Sequence, residues 1–205
     1  APVYPGFSGG PVVTLDDVER RLVPWAEGRD LPAGLEGDAD FRWILLGQLS
    51  RRGLIGAPEI DAALEQDRTM TGQLGALTAR AAIPTFEAKA AAWADLTTNR
   101  ERSNYELVAI AAGFWGPQDR TLVAPYVSRY FTDIPPMTAW LGEDALSRVA
   151  SMAYPSRFVS DETLAHSRAA LAGELQQGVR RAIVDAQSEL EEALASRRAF
   201  PAPRP

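Results

Sequence analysis

His166 is the first residue to weigh for chemistry, because it is the chain's only histidine. It lies in Leu164-Ala165-His166-Ser167-Arg168, and Glu162, one turn back, is the only carboxylate at helical ligand spacing. A metal held there would need further carboxylate ligands that this spacing does not supply, so His166 reads as an ordinary packing or surface histidine. Spacing leaves a Ser-His-Asp triad open, but no Gly-x-Ser-x-Gly elbow is present to place a nucleophile. Gly6-Phe7-Ser8-Gly9-Gly10 lacks the following lysine and the preceding strand of a phosphate loop, and reads as a flexible terminus. The carboxylate pairs Asp16/Asp17 and Asp161/Glu162 fall at helix starts, where the helix dipole accounts for them. Glu191/Glu192 falls on a solvated face. A catalytic acid and base need distinct, perturbed surroundings, which none of these pairs suggests.

Two sets of side chains have a binding reading. Arg100, Arg102 and Asn104 sit where a loop enters a helix, and arginine can clamp a peptide carboxylate through two parallel hydrogen bonds. They are the candidate substrate-binding residues; the plainer reading of the same residues is a solvated loop and an N-cap. Trp43, Trp93, Trp115, Trp140, Tyr126, Tyr130 and Phe131 would suit a peptide groove, but at helical spacing they are expected in the core.

Composition removes several classes of function. The absence of cysteine rules out a disulfide framework, a thiolate zinc site and an iron–sulfur cluster in this chain. Lys and Arg form no concentrated run and the net charge is −6, which argues against a nucleic-acid partner. No stretch approaches the ~18 uninterrupted apolar residues of a membrane span. A cytoplasmic location is the expectation. The start, Ala1-Pro2-Val3-Tyr4-Pro5-Gly6, reads as a cut or processed end and suggests a piece of something longer.

The elements that must position any site are helices. Residues 1–13 and 199–205 are too rich in Gly and Pro for regular structure and read as extended or flexible ends. Between them, 14–198 reads as about ten helices with short connections. Thr14 opens the first, with Val18, Leu22 and Trp25 on one face and Pro24 expected to kink or shorten it. Asp38 or Asp40 caps the next, with an apolar stripe of Phe41, Ile44, Leu45 and Leu49, and Arg51, Arg52 and Gly53 at its end. A short helix follows Pro58, and another spans 71–82. Pro84 starts one with a stripe of Phe86, Ala90 and Trp93. Ser103-Asn104-Tyr105-Glu106 is a capping box for a helix buried through Leu107, Ile110, Ala111 and Phe114. Thr121 is expected to cap a helix with Pro125 inside it. Further helices bury Ala145, Val149 and Met152, then Leu164 and Leu171, and the last runs from about 174 to 198. The expected fold is all-α, an irregular α-solenoid of short paired antiparallel helices. No strict repeat supports a tetratricopeptide or ankyrin array.

An ordered series of segments resembles actinobacterial aminopeptidase N. It starts with Asp40-Phe41-Arg42-Trp43-Ile44-Leu45-Leu46 closed by Gly53. It continues through Ile60-Asp61, Asp67-Arg68-Thr69 and Gly72 to Ala79-Arg80-Ala81-Ala82-Ile83-Pro84-Thr85. Glu87-Ala88-Lys89, Ala92-Trp93, Ser103-Asn104, Ala112-Gly113-Phe114, Leu122-Val123-Ala124-Pro125-Tyr126 and Tyr130-Phe131 follow, and Arg180-Arg181 lies in the final acidic, Ala-rich helix. The resemblance spans roughly 14–198, and its strength is the order of the segments.

It implies the C-terminal part of a zinc metallopeptidase that releases N-terminal residues. In that family this part is a bowl of HEAT-like helix pairs that covers the catalytic domain, encloses the substrate cavity and can contact the far end of the peptide. The family's Gly-Ala-Met-Glu-Asn and His-Glu-x-x-His segments are missing, so no catalytic residue carries over and no cofactor is expected in this chain. Zinc would belong to the parent's catalytic domain. The expected partners are that domain and, weakly, peptide substrate. Two readings compete with this one: an independent helical-repeat adaptor for a protein partner, and a small helical enzyme with its own carboxylate site.

Overall fold

The computed structural model describes residues 15–31, 33–35, 37–116 and 119–200, with side chains from residue 20 onward. The expected N-terminal segment 1–13, the Thr14 cap, the side chain of Val18 and residues 201–205 of the tail lie outside the described residues. Those residues form ten α-helices and no strand: α1 Leu15–Ala26, α2 Ala39–Arg51, α3 Ala57–Gln66, α4 Met70–Ala82, α5 Phe86–Thr98, α6 Asn104–Phe114, α7 Pro125–Asp133, α8 Glu143–Ala153, α9 Asp161–Ala172 and α10 Gln177–Ala199. Two 3-10 turns, Arg120–Leu122 and Pro135–Ala139, flank α7. The fold is all-α, as expected.

Local chemistry sets most boundaries. Asp38 rather than Asp40 caps α2, accepting from the Phe41 N–H at 2.9 Å. Gly53 ends it at φ 71°, with Gly53 N–H bonded to Ser50 O and Leu54 N–H to Leu49 O, a Schellman closure. The capping box at α6 is formed: Glu106 Oε2 accepts from the Ser103 N–H at 2.8 Å, and the Ser103 hydroxyl accepts in return. Pro24 lies in the last turn of α1, which ends two residues later. Thr121 does not open a helix through Pro125. Asp119 instead caps the 3-10 turn, and Pro125 stands in the first turn of α7, where its missing N–H costs nothing.

The even-numbered helices pack in series, α2 on α4, α4 on α6, α6 on α8 and α8 on α10, while α1, α3, α5 and α9 each pack on an even neighbour. Small residues permit the closest approaches. A Cβ on Gly113 of α6 would lie 2.2 Å from Thr78 O of α4, and Thr78 Oγ1 donates to Ala109 O at 3.0 Å. Ser50 of α2 donates to Ala79 O of α4 at 2.6 Å, and Gly75 lies under the Trp43 ring.

The main core is aromatic. Trp93 is fully buried, with Phe114 and Tyr126 rings at 4.9 and 5.2 Å and Trp115 at 6.2 Å. The polar edges of these rings are satisfied. Trp93 donates to Asp133 at 2.8 Å, Trp115 to Ala153 O at 2.7 Å and Tyr130 to Ala150 O at 2.8 Å. Of the aromatics weighed for a groove, Trp43, Trp93, Trp115, Tyr126 and Tyr130 are buried, and Phe131 and Trp140 are half-buried.

Four expected core positions, Ile44, Phe86, Ala90 and Met152, face solvent instead. Ile44 is 60% exposed, Phe86 62% and Met152 46%. Helix α2 has neighbours on two sides, so Leu45 and Leu49 face α1 while Trp43 and Leu46 face α3 and α4, leaving Ile44 outside. In α5 the buried face is Lys89, Trp93 and Leu96. The expected stripe of Phe86, Ala90 and Trp93 shares only Trp93 with that face.

Candidate functional site

The loop joining α5 to α6 holds the sequence-derived candidates. Arg102 is half-buried and fully engaged: Nε and Nη2 donate to the Asp95 carboxylate at 3.1 and 2.9 Å, and Nη1 donates to Glu106 Oε1 at 2.8 Å. These bonds hold the Arg102 guanidinium above its ordinary range, the Asp95 contact foremost. Backbone donation from Ser103 pulls Glu106 below the usual carboxylate range, and Arg102 adds to it. The clamp ties the end of α5 to the start of α6. Arg100 stands exposed in the turn, and Asn104 is exposed at the first position of α6. Asp95 and Arg102 also border an open groove of ≈ 440 Å³ whose floor is apolar, with Leu77, Ala81, Ala88, Ala92 and Ile110.

His166 has a packing role. Its ring stacks on Phe131 at 5.6 Å and 22°. No group of three or more His, Cys, Asp or Glu side chains among the described residues is arranged to hold a metal ion. Among the described residues the donor set therefore does not fit the zinc that the resemblance places in the parent's catalytic domain.

A second location escaped the sequence reading. The C-terminal ends of the even helices gather along one edge. Lys89, fully buried, donates through Nζ to Ala81 O at the end of α4 and to Phe114 O, 2.8 Å away, at the end of α6. Trp115, just past α6, donates to Ala153 O at the end of α8. Arg51, in the last turn of α2, abuts Gly116, and its buried Nε has no hydrogen-bond partner among the described residues.

Beside this edge is a cleft of ≈ 420 Å³ lined by Trp115, Arg120, Val123, Arg157, Phe158, Val159 and Arg197. Arg120 lies over the Phe158 ring at 5.2 Å and donates to Arg157 O. Arg197 donates to Val159 O at 2.8 Å. Burial holds the Arg51 guanidinium below its ordinary range, and the charges of Arg157 and Arg52 push it further. Positions 51, 120, 157 and 197 are dispersed along the chain, so no linear run marked them.

Helices packed in series and held close by small-residue contacts define an all-helical module. Residues 10–192 match the ERAP1-like C-terminal domain family, and the chain belongs to that family. It is similar to aminopeptidase N of Streptomyces lividans, with 35% identity over 169 residues covering 82% of this chain. The match takes in 20% of that relative's length, so the chain spans about a fifth of it. The resemblance to an aminopeptidase N C-terminal domain read from the ordered segments is thereby upheld.

Proposed function

We propose that the chain is the non-catalytic C-terminal domain of a cytoplasmic zinc aminopeptidase, arranged as a solenoid of HEAT-like helix pairs. It covers the catalytic domain of the same parent chain, encloses the peptide cavity and contacts peptide weakly. The observation that carries the reading is the family match across residues 10–192, taken with the serial packing of α2, α4, α6, α8 and α10. Such an array buries its core between neighbours and leaves long helix faces for a second domain or a peptide. The apolar groove that Arg102 borders gives one such face, and the exposed Arg100 and Asn104 of the same α5–α6 connection are the proposed peptide contacts.

The test is to express the remainder of the parent separately and to assay it on a dipeptide amide and on a series of longer peptides, with and without this chain. Formation of a complex, together with a change in peptide-length preference on adding the chain, is the expected result. Identical length profiles with no complex would leave the adaptor reading in its place.

A further inference from the structure

The cationic cleft beside α6 has a consequence that the lid reading does not contain. Arg120, Arg157 and Arg197 line it, and Arg51 lies close enough to Arg157 for the two charges to repel. Among the described residues, no carboxylate lines the cleft. The nearest acids in sequence have other partners: Asp119 accepts from the Thr121 N–H and hydroxyl, and Asp161 pairs with Arg198 at 2.6 Å. The Arg157 side chain makes no hydrogen bond or ion pair within the described residues.

Helix C-termini carry partial negative charge, and cations gathered there are stabilised. Each terminus amounts to about half an elementary charge, so the five even helices supply roughly −2.5. Arg51, Arg52, Arg120, Arg157 and Arg197 bring five full positive charges to the same edge, and Lys89, whose pKa burial lowers to about 7, adds a fractional one at neutral pH. The dipoles therefore offset less than half of the charge. They are also best used by Lys89, which bonds two helix-end carbonyls directly, whereas Arg120 and Arg197 bond carbonyls of the 157–159 loop.

Those loop bonds matter in a second way. They immobilise two guanidinium groups at the rim while using only one or two of the five donors that each carries. Phe158 and Trp115 give the cleft an apolar wall, which lowers the local dielectric and strengthens attraction for an incoming anion. We propose that the Arg120–Arg157–Arg197 cleft is an oxyanion-binding site that takes a carboxylate or phosphate group. The shared chemistry is a planar or tetrahedral anion received by forked guanidinium donors. The chain's net charge of −6 means that this attraction comes from local arrangement and not from overall charge.

The test uses the whole 205-residue chain and isothermal titration calorimetry at low salt, with three probes. These are inorganic phosphate, an N-acetylated apolar pentapeptide with a free C-terminal carboxylate, and the same pentapeptide as its C-terminal amide. The expected result is that phosphate or the free-acid peptide binds, that the amide does not, and that Arg157→Gln weakens binding about tenfold or more. Phosphate binding tighter than the peptide assigns a free small anion; the reverse assigns a peptide terminus. Among the described residues the Arg157 side chain holds nothing else in place, so its variant should fold, which far-ultraviolet circular dichroism checks. Arg148→Gln, on an exposed position outside the cleft, should bind as the parent sequence does. Failure of both anions to bind at millimolar concentration overturns the proposal, as does equal binding by the Arg157→Gln chain. Neither result bears on whether the chain covers a catalytic domain.

Discussion

Lys89 shows how much one residue's surroundings decide. The apolar stripe Phe86, Ala90 and Trp93 left it out, yet it is fully buried, with its ammonium 5.3 Å from the Phe114 ring centre. Burial pushes its pKa down to about 7, and the Arg51 charge adds to the fall. An unfolded lysine titrates near 10.4, so between about pH 7 and 10.4 the unfolded chain holds a proton that the folded chain has released. Stability from this group therefore rises with pH through that window, because the cost of a buried charge is relieved. Lys89→Met removes the effect. The stability of the parent sequence relative to Lys89→Met should climb by about 1.4 kcal/mol per pH unit within the window. Urea unfolding of both chains from pH 6.5 to 9.5 measures this, and parallel pH profiles would contradict it. Arg102 makes the complementary point: a residue selected for its ability to grip a carboxylate grips two of the protein's own, Asp95 and Glu106.

At the scale of elements, helix identity was legible and helix faces were less so. The caps Asp38, Ser103 and Ser160 and the stop at Gly53 act within a few residues of themselves, so they can be read along the chain. Faces are set by neighbours, which is why Ile44, Phe86 and Met152 lie outside while Trp43 and Lys89 lie inside. The α4–α6 crossing gives the sharpest test. Gly113→Ala places a methyl group against the backbone of Thr78, and neither helix can yield cheaply. Overpacking costs about 1–3 kcal/mol, against about 1 kcal/mol returned by helix propensity. The expected outcome is a lower melting temperature. Gly47→Ala in α2, where nothing lies within 4 Å, should keep the propensity gain and melt higher. Thermal denaturation of the two variants side by side checks the opposite signs.

At the scale of the whole molecule, function follows from what the helices frame. With one histidine and no cysteine, the chain lacks the ligand set of a zinc peptidase. Dialysed against micromolar zinc, it should hold no stoichiometric tightly bound ion and should not hydrolyse aminoacyl amides; metal analysis and a turnover assay would expose the opposite. No helix of the described residues is long and apolar enough to cross a membrane. The amino-acid sequence by itself determined the helical class, most helix boundaries, the absence of thiol chemistry and the kinship to aminopeptidase N. Each of those depends on residue identity or on spacings of a few positions. Tertiary structure alone decided that Lys89 is buried, that Arg102 is occupied, and that Arg51, Arg120, Arg157 and Arg197 meet beside Trp115. These residues come from four separate stretches, and only packing that gathers the ends of successive helices on one edge brings their charges within reach of one another.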